Sequence, residues 1–71
     1  MHPTTLSEHT IGSYLARIRL QHRAVRLEAL VSVLRFRIAE RAATGRPVPA
    51  SLRAAIAEFE EELSAIRDGL A

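Results

Sequence analysis

Cysteine, tryptophan, lysine and asparagine are all missing from this chain of 71 residues. Without cysteine there is no disulfide and no thiolate ligand for a metal, and nothing points to an oxidising compartment. The aromatic residues are Tyr14, Phe36 and Phe59 alone, which leaves no platform on which successive bases of a single strand could stack. Glycine and proline number three each, and neither occurs between Ser13 and Ala43. No apolar run approaches the ~18 residues of a membrane span. The opening "MHPTTLSEHT" lacks the basic start and apolar block of a secretory signal. The expected setting is the cytoplasm, away from membranes. All ten basic residues are arginine, a habit that fits a GC-rich coding sequence. A net charge of +2 does not by itself imply a nucleic-acid partner.

What remains is rich in alanine, leucine, arginine and glutamate, the better helix formers. A single domain of this size buries only about 60% of the surface its unfolded chain exposes. It therefore needs reinforcement, and with no disulfide that points to association. The one cluster of helix breakers is "ATGRPVPAS". Gly45 can close a helix in the left-handed conformation, and Pro49 fits the first turn of the next helix. Upstream, Thr5 and Glu8 have the spacing of a capping box. The expectation is an all-α antiparallel hairpin. A flexible tail (1–5) precedes one domain (6–71) with a helix over about 6–43, a turn at 44–48 and a second helix over about 49–68. At 1.5 Å per residue the first helix reaches ~55 Å. Residues 34–38 alternate apolar and charged like a strand, but no second strand-like run exists to pair with them.

The two helices carry matching seams. In the second, Leu52, Ile56, Phe59, Leu63, Ile66 and Leu70 follow the 4-3 repeat of a helix packed along one line. In the first, Leu20, Ala24, Leu27, Val31, Leu34, Ile38 and Ala42 do the same. Folding the chain back at Gly45 sets Ala42 opposite Leu52, Leu34 opposite Phe59, and Ala24 opposite Leu70, in constant register.

Helix one has a second stripe. Ile11, Leu15, Ile18, Val25, Ala29, Val33 and Phe36, with Tyr14 beside them, fall roughly opposite the seam at 100° per residue. The second helix cannot reach them. An apolar surface of that length exceeds what soluble monomers normally expose, so the stripe is expected to be an interface. Two hairpins joined there would form a dimer of four helices, and a larger protein is the other expected partner.

The charges are segregated. The first helix holds seven arginines against three glutamates, and the second with its tail holds two arginines against five acidic residues. One reading is that these opposite charges flank the seam and help fix its register. The other concerns Arg19, Arg23, Arg26, Arg37 and Arg41, which align between the two stripes as a basic ridge able to follow a phosphate backbone. A helical-hairpin dimer with such a face resembles the plasmid copy-number regulator Rop in architecture. Nucleic acid, RNA or DNA, is therefore the alternative partner, and the resemblance implies RNA. Glu58, Glu60, Glu61 and Glu62 show no carboxylate–histidine spacing for a metal. His2 and His9 lie near the terminus, and His22 sits beside the second stripe, where a histidine could sense pH. The segment "LEALVSVLRFRIAERA" resembles the first helix of chorismate-type mutases, but the chain has no lysine and none of the rest of their pattern. No cofactor, metal or catalytic activity is expected.

Overall fold

The computed structural model describes the backbone from Pro3 onward and the side chains from Gly12 onward. Two helices account for nearly all of it: α1 (Pro3–Ala43) and α2 (Ala50–Leu70). They pack against each other as an antiparallel hairpin measuring 68 × 16 × 14 Å. Among the described residues there is no strand, and residues 34–38 are helical.

The turn is built by glycine. Gly45 has φ +73, Arg46 N–H donates to the Arg41 carbonyl at 2.8 Å, and Gly45 N–H donates to Ala42 at 3.2 Å. This pair of bonds satisfies carbonyls that the last turn of α1 would otherwise leave open. Thr44 Oγ1 adds a bond to the Glu40 carbonyl at 3.0 Å. Pro49 is the residue before α2, extended at φ −60 and ψ 138, so it ends the turn from just outside the helix it was expected to begin. Gly69 does not stop α2, which continues to Leu70. At the other end α1 starts at Pro3, so Thr5 and Glu8 fall inside the helix and not at its cap. A proline needs no N–H in a first turn and brings its φ already set.

The seam is as the sequence spaced it. Ala24, Leu27 and Val31 of α1 and Ile56, Leu63 and Ile66 of α2 form the buried core, with Leu34, Ile38, Phe59 and Leu70 packed against it. The register frays at its ends: Leu20 and Ala42 are exposed. Leu20 lies near the free end of α2, and Ala42 sits at the turn where the helices part. Even the core is thin. Its best-covered side chain, Leu63, keeps 4% of its surface exposed, and no described side chain is completely enclosed. Two helices meet along a line, so a seam residue has a neighbouring helix on one side only.

Three stability changes follow. Leu63→Ala should cost about 2–5 kcal/mol, as large-to-small core changes do, and Phe59→Ala should cost less because Phe59 is only half-buried. Gly45→Ala should cost about 1–2 kcal/mol for forcing a side chain into the left-handed region. Urea unfolding followed by circular dichroism measures all three. A Leu63→Ala loss no larger than that of Phe59→Ala would contradict this placement of the core.

Candidate interaction surface

The surface divides into four strips along α1, each set by helical period. The inner strip is the seam. On the outer strip, facing away from α2, Phe36 is 69% exposed, Val25 65%, Tyr14 63% and Val33 52%. Leu15 and Ala29 are exposed with them and Ile18 is half-buried. Ile11, counted in this stripe from the sequence, lies outside the described side chains, as do His2 and His9. Seven of the eight expected interface residues are thus on one helix face, and α2 leaves Tyr14, Leu15, Val25, Val33 and Phe36 exposed.

The lateral strips carry the charge. On one flank Glu28 accepts a bond from Arg67 at 3.0 Å, and Arg35 pairs with Glu60. Arg17 Nη2 donates to the Leu70 carbonyl at 2.6 Å, a cation placed on an open carbonyl at the negative end of α2. On the other flank Arg23 pairs with Glu62. These bonds tie the positive helix to the negative one on both sides of the seam, the arrangement expected if the charges fix register. All of the ion-paired side chains keep at least a third of their surface exposed, so each pair contributes little to stability.

The basic ridge is therefore divided. Arg23 is engaged by Glu62, and Arg41 reaches toward the Pro47 carbonyl at 3.4 Å. Arg19, Arg26 and Arg37 make no ion pair or side-chain hydrogen bond among the described residues. Between them sits a residue that belongs to neither seam, Leu30, 48% exposed. With Leu27, Val33 and Phe59 it floors a shallow groove walled by Arg19, Arg23, Arg26 and Glu62. His22 lines the same groove. The apolar outer strip thus widens on this flank and continues toward α2. Its signal in the sequence was Leu30 itself, an apolar residue lying between the two stripes. No three His, Asp or Glu side chains gather as metal ligands among the described residues. Among the described residues no helix is long and apolar enough to cross a membrane.

No protein-family model, curated protein or solved structure matches this chain.

The pairing across the seam can be measured directly. Glu62→Arg should lower the melting temperature slightly by facing Arg23 with a like charge, and Arg23→Glu in the same chain should restore it. The coupling energy should be about 0.2–1 kcal/mol and should fade in high salt. A double-mutant cycle with no coupling at low salt would show that the pair does not act in solution.

Proposed function

We propose that this protein acts by association and not by catalysis, as a small regulatory or accessory protein whose outer strip on α1 meets another polypeptide. The observation that carries this reading is the run of large apolar side chains from Tyr14 to Phe36 left uncovered by α2. It spans ~33 Å at the helical rise, and apolar surface so aligned marks interaction sites in soluble proteins. A core one layer deep supports the same reading, because it gives the isolated hairpin little stability of its own. Among the described residues the ion-paired arginines and carboxylates are exposed and spread along the hairpin.

A second reading uses the ridge. Arg19, Arg26 and Arg37 have no intramolecular ion pair among the described residues and could contact phosphates of RNA or DNA. Arg23 and Arg41 are drawn to partners within the chain, which leaves three of the five arginines for that role. Three cations on one helix supply a weak, salt-sensitive, sequence-blind attraction, so association through the apolar strip is the better reading.

The test uses the full chain. Val25→Glu places a charge in the middle of the strip, away from the seam, and should leave the helical signal intact while abolishing association seen by light scattering or by capture of a partner. If Val25→Glu leaves every such association unchanged, the strip is not the interface. For the second reading, a salt titration against duplex DNA and structured RNA should show nothing tighter than ~10⁻⁴ to 10⁻⁶ M at physiological salt. Tighter binding that is lost in the Arg19, Arg26 and Arg37 to Gln variant would reverse the order of the two readings.

A further inference from the structure

We propose that the outer strip is covered by a second copy of the chain, lying parallel and in register, with the two α1 helices in the middle and the two α2 helices outside. This rests on the association reading and names its partner. Leu15, Ile18, His22, Val25, Ala29, Ser32 and Phe36 alternate at spacings of three and four residues. Such a repeat fits another helix and not a flat or irregular surface. With Ile11 before it in the sequence, the repeat runs for nearly four heptads, within the length over which such a repeat defines a coiled coil.

The flanks of this strip choose the partner and its direction. One edge row holds Arg19, Arg26, Val33 and Glu40. The other holds Tyr14, Gln21, Glu28 and Arg35, and its two charged residues are already drawn toward α2 by Arg67 and Glu60. Two-fold symmetry about an axis along the helices sets unlike edges together. Arg19 then meets Tyr14 of the second copy, Arg26 meets Gln21, and Glu40 meets Arg35. Arg19 and Arg26, which make no ion pair among the described residues, thus face a π system and an amide, with no like charge across the interface. An antiparallel pairing sets like edges together, so in the three registers of greatest overlap the arginine row meets itself: Arg19 on Arg26, Arg26 on Arg26 or Arg19 on Arg19. The register that sets Arg19 on Glu40 overlaps only residues 25–36 of the strip. Register within the parallel pair is fixed by the polar layers. In register, His22 meets His22 and Ser32 meets Ser32, whereas a shift of one heptad sets His22 against Ala29. A polar residue in one layer of such a seam specifies register at some cost in affinity.

This arrangement is a flat row of four helices. A closed bundle would need α2 to share an apolar core with the second copy, but its outward face carries the exposed Ala54, Ala57, Glu58 and Glu61.

The absence of cysteine makes the test direct. A spin label on Arg46→Cys, in the exposed turn, reports the distance between the two turns, while sedimentation reports the assembly. The expected result is a dimer with the labels ~20–30 Å apart, because parallel helices put both turns at one end and pack at 8–10 Å. An antiparallel dimer separates the turns by ~60 Å and would overturn the proposal. Gln21→Glu gives an independent sign. It should tighten a parallel dimer by creating an ion pair to Arg26, and loosen the antiparallel one that sets Arg19 on Arg26, where it faces Glu28. Val25→Glu should weaken dimerisation at least ~100-fold. A folded wild-type monomer at tens of micromolar, or an oligomer above two, removes the second copy as sole occupant. The association reading then still stands or falls on whether Val25→Glu abolishes binding to a different chain. A dimer indifferent to Val25→Glu overturns both.

Discussion

One line of contact holds this molecule together. Along it Ala24, Leu27 and Val31 meet Ile56, Leu63 and Ile66, and every other feature depends on how little that line can do. Two cylinders touch over a strip about one side chain wide, so no described residue becomes fully enclosed. The hairpin gains a modest hydrophobic term and must offset the ordering of two long helices. Hence the importance of small local devices: the left-handed Gly45, the paired carbonyls at the end of α1, and Arg17 on the last carbonyls of α2.

The charge pattern serves the same line. A seam with a regular repeat can slide by a heptad and still bury apolar surface. Placing Arg23 against Glu62 on one side, and Arg35 and Glu28 against Glu60 and Arg67 on the other, makes slid registers less favourable than the native one. Each pair is exposed and weak, yet together they discriminate between alternatives that the apolar contacts treat almost alike. This accounts for the opposite net charges of α1 and α2 without recourse to a ligand. It also separates the arginines with a local task from Arg19, Arg26 and Arg37, which have no such pair among the described residues.

The unequal lengths of the helices, 41 residues against 21, carry the functional argument. The shorter helix can cover one face over half of the longer one. Everything else apolar on α1 is left for something outside the hairpin, and its regular repeat limits what that can be. The regularity of that repeat is what the proposed second copy rests on.

The sequence by itself determined the two helices, the turn at Gly45, the pairing of the seams and the position of the outer stripe. All of these follow from local conformational preference and from a 3.6-residue period that can be counted. The tertiary structure decided three things that counting could not. It set where the seam frays, leaving Leu20 and Ala42 exposed, because that depends on where α2 ends and where the helices diverge. It divided the ridge of five arginines, because whether Arg23 reaches Glu62 depends on the distance between side chains on two different helices. And it joined Leu30 to Phe59 across the hairpin, widening the apolar strip on one flank, since two residues far apart in the chain become neighbours only when the helices are packed.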